Sequence, residues 1–245
     1  MKRLIIIFII SITTLFIMNG TGAFTFPWVD KDSALLKSLQ SKNLNRFERL
    51  LNDGANPNTI WGGNSNNWVM CLATKRGNIE FLKLAVKHGG NINQRNRINP
   101  VQTITSAPIL CAITNHNMKA FYYLLEKSVD VSIHTYENAQ PIPQDFLGDP
   151  QFRGQTLYGS PILHATALNE YCMALSILQR KELNWEESIK LKRSVEFSMV
   201  DPNSESDKCR WEIIETLRQK GYEIDPERAM KEHQEKRQKW QENNN

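Results

Sequence analysis

Two stretches of this chain lie on each other residue by residue, and that register limits the possible folds more than any other feature. Leu44–Asn58 and Ile79–Asn93 place apolar residues at the same steps, Leu44, Phe47, Leu50 and Leu51 against Ile79, Leu82, Ala85 and Val86, with Gly54 and Gly89 closing each run. Spacings of three and four residues predict an amphipathic helix, and a glycine just past its end suits the left-handed residue that stops a helix. The frame continues through Met118, Phe121, Leu124, Leu125 and Asp130, then Tyr171, Ala174, Ile177 and Leu178, and last Trp211, Ile213, Ile214, Leu217 and Gly221. Its anchors Leu44, Ile79, Met118, Tyr171 and Trp211 stand 35, 39, 53 and 40 positions apart. A unit this short cannot bury its own apolar face, so the chain is expected to stack about five of them into one continuous core.

A second, shorter helix is expected upstream of each of these. Ser160-Pro161-Ile162-Leu163-His164-Ala165 and Ala107-Pro108-Ile109-Leu110-Cys111-Ala112 put proline in the first helical turn, where its missing N–H costs nothing. Trp68–Ala73 and Ser33–Ser38 fit the same frame more loosely. These segments resemble the Thr-Pro-Leu-His-x-Ala motif of ankyrin repeats, whose units run to about 33 residues. The resemblance covers residues 32 to 225 and implies an all-α fold, an ankyrin-repeat solenoid of about five helix-turn-helix units with elongated finger loops. One departure stands out: Leu36, Cys71, Leu110 and Leu163 occupy the place of the motif histidine, which ties the turn together in the family. His164 falls one place late and reads as a packing residue. The expected organisation is a signal peptide at 1–23, the repeat domain at 24–225 and a polar helix or tail at 226–245. In the last unit, Glu212, Glu215, Arg218 and Lys220 would turn a polar face to water.

The first residues point to export. Lys2 and Arg3 precede an apolar run from Leu4 to Met18, followed by Gly20, Thr21, Gly22 and Ala23. That is the layout of a signal peptide, with cleavage expected after Ala23. The run is broken by Ser11, Thr13 and Thr14 and falls short of the roughly 20 apolar residues that span a bilayer, so a membrane partner enters only if the segment stays uncleaved. A periplasmic location follows as the expectation. It places Cys71, Cys111, Cys172 and Cys209 in an oxidising compartment, and none of them forms a CxxC pair. The register brings Cys172 and Cys209 close in successive units. A disulfide needs Cα atoms about 4.4 to 6.8 Å apart, whereas stacked helix axes lie about 10 Å apart, so bond and thiols both stay open. Cys71 and Cys111 sit at nearly equivalent places on shorter helices and read as buried free thiols.

Catalysis finds no foothold. The chain has no nucleophile elbow, phosphate loop or zinc-binding helix motif, and His88, His116, His134, His164 and His233 lack metal-ligand spacing. No catalytic residue, metal, cofactor or small-molecule substrate is expected. A net charge of +4, part of it in the leader, is too small for phosphate binding to dominate, which argues against nucleic acid. A protein partner remains. Three finger segments carry the aromatic, arginine and amide side chains that dominate interfaces: Trp61, Asn64 and Asn66; Arg95, Arg97 and Gln102; and Tyr136, Phe146, Phe152, Arg153 and Tyr158. The ends of the shorter helices add Lys75, Arg76, Asn115, His116 and Asn169 as exposed polar positions. The whole resembles signal-bearing periplasmic ankyrin proteins that act as immunity partners of secreted antibacterial effectors, phospholipases among them, including those of type VI secretion. That resemblance implies a cognate toxin as partner. An envelope helper and a secreted host-binding effector are the alternatives.

Overall fold

In a computed structural model of the chain, the described residues are 30–60, 68–75, 77–99, 104–133, 160–198, 200–231 and 235. They are helical, with one short two-stranded hairpin. The chain divides into two compact units, Met1–Asn91 and Ile92–Asn245.

The first unit holds two helix pairs, α1 (Lys31–Gln40) with α2 (Leu44–Asn52) and α3 (Val69–Lys75) with α4 (Ile79–Lys87). First helix packs on first and second on second, α1 against α3 and α2 against α4. Leu35, Leu39, Phe47, Phe81 and Leu82 are buried between them, and the Phe47 and Phe81 rings meet edge to face with centroids 5.2 Å apart. Full burial of such rings contributes about 2 to 3 kcal/mol each. Gly90 is held against the backbone of α4: an added Cβ would come within 2.6 Å of Met70 Sδ and 2.7 Å of the Ala85 carbonyl.

The second unit begins with the hairpin of β1 (Asn96–Asn99) and β2 (Ile104–Ser106), antiparallel with an irregularity between Arg97 and Asn99. A hairpin inside a segment read only as a loop refines the all-helical expectation. Three helix pairs follow: α5 (Pro108–Thr114) with α6 (Met118–Glu126), α7 (Pro161–Ala167) with α8 (Tyr171–Leu178), and α9 (Trp185–Glu196) with α10 (Glu205–Gln219). The stacking rule is the same, α7 lying against both α5 and α9 while α8 lies against α10.

One local geometry joins the two helices of every pair. Lys42, Gly77, His116, Asn169 and Asn203 all take a positive φ, and the second helix begins two residues later each time. Asn43, Asn78 and Asn117 then cap α2, α4 and α6 by accepting from backbone N–H groups of the first turn, as Ser204 does for α10. At the other end Gly54, Gly89, Ser128 and Gly221 are left-handed, and the next N–H reaches back to close the helix, as Ala55 does to the Leu50 carbonyl at 2.9 Å.

That shared geometry corrects the fifth anchor. The last second-position helix starts at Glu205, 34 residues after Tyr171, and Trp211 lies in its second turn. Matching by the Gly221 stop aligned the end of the helix correctly. The start was missed because α10 runs longer at its N-terminus than its counterparts. The first helix of that pair is also long, α9 having 12 residues against 7 in α3, α5 and α7. Glu212, Glu215, Arg218 and Lys220 are exposed along α10.

Candidate functional site

The turns that leave α2, α4 and α6 are tied by a ladder of side chains, which begins at Asp32 in the first turn of α1. Asp32 Oδ1 accepts from the Asn56 N–H at 2.7 Å and its Oδ2 from the Thr59 hydroxyl at 2.8 Å. Asn58 Oδ1 accepts from the Asn91 N–H at 2.7 Å, and the Asn58 amide donates to the Gly89 carbonyl at 3.0 Å. Asn93 Oδ1 accepts from the Asp130 N–H at 2.7 Å. Asp32 ties α1 to the turn after α2, Asn58 and Asn93 tie one turn to the next, and together they satisfy N–H groups that no helix or strand engages. Asp32, Asn58 and Asn93 supply these ties.

The first and second fingers each leave from such a turn. Ile60 pairs with Trp68 at the base of the first, where Trp68 is fully buried and Ile60 is exposed. The second is the β1–β2 hairpin. Its returning strand ends at Ser106, whose hydroxyl lies 3.4 Å from Cys111 Sγ in α5. Its outgoing strand follows Arg95, whose guanidinium donates to Asp130 Oδ2 at 3.1 Å. The other oxygen of Asp130 accepts from the Ser132 N–H at 2.8 Å and from the Ser132 hydroxyl. Those Ser132 bonds, with Arg95 adding to them against a smaller desolvation cost, hold the Asp130 carboxyl below the ordinary carboxylate range.

Of the proposed binding residues, Arg95 is therefore exposed and ion-paired, and Arg97 is in β1 opposite Thr105. Trp61, Asn64, Asn66, Gln102, Tyr136, Phe146, Phe152, Arg153 and Tyr158 lie outside the described residues, as do Arg76 and the leader at 1–23. Lys75 and Asn115 are half-buried, while His116 and Asn169 are exposed. The shorter helices offer little free surface: Val69–Thr74 and Pro108–Ile113 are buried throughout.

The cysteines divide between one expectation left open and one overturned. Cys172 and Cys209 form a disulfide with Cα atoms 5.0 Å apart. The long α10 brings this about, since Cys209 stands on its second turn beside the first turn of α8. Cys71 and Cys111 are not free thiols, because each belongs to a disulfide and no cysteine is free. They are buried, as expected, but burial fits a half-cystine as well as a thiol, and that is why the reading failed.

Charge is concentrated in the last helix pair, α9 with α10. Glu187, almost fully buried, closes the capping box of α9 with Asn184 and takes the Lys181 ammonium at 2.7 Å. Burial pushes its carboxyl up, but Lys181 and the Asn184 N–H outweigh that and hold it below its ordinary value. Asp207 pairs with Arg210 at 2.8 Å, and Arg210 stacks on the Trp211 ring. Burial raises the Tyr171 phenol, which donates to the Ser194 carbonyl at 3.1 Å.

A histidine and a carboxylate do meet, His116 Nδ1 against Glu170 Oε1, but the His116 side chain is 61% exposed and the pair sits on the surface. His164 is half-buried and bonded to Thr114 Oγ1 at 2.8 Å. A shallow cavity of about 300 Å³ between α9 and the helical turn at 226–231 is lined by Ile189, Lys192, Glu196, Phe197, Asp225 and Arg228, without histidine. Among the described residues no group of three or more His, Cys, Asp or Glu side chains is arranged to hold a metal, and no helix is long and apolar enough to cross a membrane.

The residues missed in the sequence are Asp32 and Asp130. For Asp130 the signal was there: Asn56, Asn91 and Asp130 stand at one offset from their anchors, and Asn58, Asn93 and Ser132 at another, whereas Asp32 falls at neither. Set beside known protein families and curated proteins, the chain matches no family model and no curated sequence.

Proposed function

We propose that this chain is an exported ankyrin-type repeat protein that works by binding another protein, and that its partner is a secreted antibacterial effector which it neutralises. One observation carries the reading: a β-hairpin finger, flanked by Arg95, rooted at one end in a first-position helix and at the other in the turn of the following pair. Support for the repeat family comes from helix pairs stacked first on first and second on second, from the left-handed residue inside each pair, and from turns tied by side chains. Four cysteines oxidised into disulfides fit an oxidising compartment. Binding is favoured over catalysis because the one His–carboxylate pair described lies open on the surface.

A neutralising partner must hold its toxin at sub-nanomolar Kd, more than about 12 kcal/mol, which an interface of about 1,600 Å² with aromatic anchors supplies. The test is capture of partners by the mature protein from the envelope of its own source, with a Trp61→Ala/Phe146→Ala variant as control. A lipase or nuclease recovered by the native chain and lost in the variant, with helical content unchanged, is the expected result. Recovery of resident envelope proteins alone would overturn neutralisation in favour of a helper role, and equal recovery by the variant would overturn the finger assignment.

A further inference from the structure

We propose that Asp130 is the positioning residue of the second finger, a clamp that fixes Arg95 and through it the root of the hairpin formed by Asn96–Asn99 and Ile104–Ser106. The proposal deepens the finger reading above and rests on it for its functional meaning.

Every polar atom of Asp130 that the clamp uses is engaged, and each contact has a distinct effect. The backbone N–H donates to Asn93 Oδ1 at 2.7 Å, which fixes the turn after α6 against the segment leading into β1. Oδ1 accepts from the N–H and hydroxyl of Ser132, two residues on, which sets the rotamer of the carboxylate before Arg95 arrives. Oδ2 is thereby aimed at Arg95 Nη2, 3.1 Å away. Arg95 immediately precedes β1, so the pair acts on the first residue of the outgoing strand. The hairpin is thus held on both sides, by Arg95 on the way out and by Ser106, beside Cys111, on the way back.

An ion pair between side chains 47% and 36% exposed contributes little to global stability. That small contribution separates the two roles. A residue that only stabilised the repeat would affect α5 and α6 along with the hairpin. A residue that aims the finger would affect the hairpin alone.

Asp130→Asn keeps an oxygen to accept from Ser132 and loses the carboxylate that Arg95 needs; Arg95→Gln removes the other partner. Amide hydrogen exchange, followed by NMR on the mature full chain, is expected to speed up about two- to five-fold at 96–99 and 104–106 in each variant. Amides of Ala112, Phe121 and Leu124 should keep their native rates. The double variant should exchange no faster than either single one, since both remove the same contact. Unchanged hairpin exchange in either single variant, equal acceleration in α5 and α6, or effects that multiply in the double variant would overturn the clamp. This readout needs no partner, so its failure leaves the binding function standing, and the capture experiment judges that function separately.

Discussion

The first two helix pairs and the last two are stacked by the same rule and held by different chemistry. Between α2 and α4 the contact is apolar, the Phe47 and Phe81 rings edge to face, and the turns above are tied by the Asn58 amide. Between α8 and α10 the bond is covalent, Cys172 to Cys209, and the same region carries part-buried ion pairs at Lys181–Glu187 and Arg210–Asp207. The difference follows from what each sequence can bury. The helices α2 and α4 bury Phe47, Leu50, Leu51, Phe81 and Leu82 with no charged side chain among them, whereas α9 and α10 are rich in charge and bury Glu187, Glu196 and Asp207 beside their apolar side chains. The contact between α2 and α4 therefore depends on packing alone, whereas that between α8 and α10 adds a cross-link and charges to the apolar side chains that α8 buries.

The largest break in that comparison is Phe81→Ala. Removing a fully buried ring that also meets Phe47 is expected to cost about 3 to 5 kcal/mol. Hydrogen exchange resolved by residue should show protection lost across α1 to α4 while α7 to α10 keep theirs. Loss spread evenly over the chain would mean that the two regions unfold as one and that their different chemistry has no separate consequence.

How much of this was legible follows the range of the signals. The glycine stops at Gly54, Gly89 and Gly221, the prolines of α5 and α7 and the apolar spacing of α2, α4, α6 and α8 are local, so the helix pairs could be placed from the chain alone. The start of α10 could not, because nothing at Trp211 says that a helix already runs there; the cap at Ser204 does, and it lies outside the compared window. The amide ladder was half visible as a repeated offset, but only contact with the next turn reveals Asn58, Asn93 and Asp32 as ties. Cys71 and Cys111 carried no local sign of oxidation, since a half-cystine and a thiol pack alike.

A smaller effect is expected on the other side. Cys172→Ser combined with Cys209→Ser should lower stability by about 2 to 4 kcal/mol, because the bond closes a loop with a sequence separation of 37. Denaturant unfolding compared with the native chain measures the loss, and exchange should place it in α8 and α10. A pair of serines that left these helices fully protected would show that their apolar contacts suffice, making the two ends alike after all.

The finest distinction between the regions is their response to acid. Glu187 belongs to the last region, and its folded-state pKa lies below the unfolded value near 4.5. A depressed carboxyl contributes stability that is fully present above the unfolded pKa and is lost as pH falls through the folded one, at about 1.4 kcal/mol for each pH unit between the two values. Acidification from pH 5 downward should therefore loosen α9 and its contact with Lys181 before it affects α2 and α4, which pack through Phe47 and Phe81. Glu187→Gln keeps the shape and removes the titration. The difference in stability between variant and native chain should then shrink as pH falls, because protonation makes the native side chain neutral as well. A difference that stayed constant from pH 7 to pH 3 would mean that the Lys181 pair adds nothing beyond the hydrogen bonds a neutral side chain can make, and the contrast between a packed end and a charged end would rest on the disulfide alone.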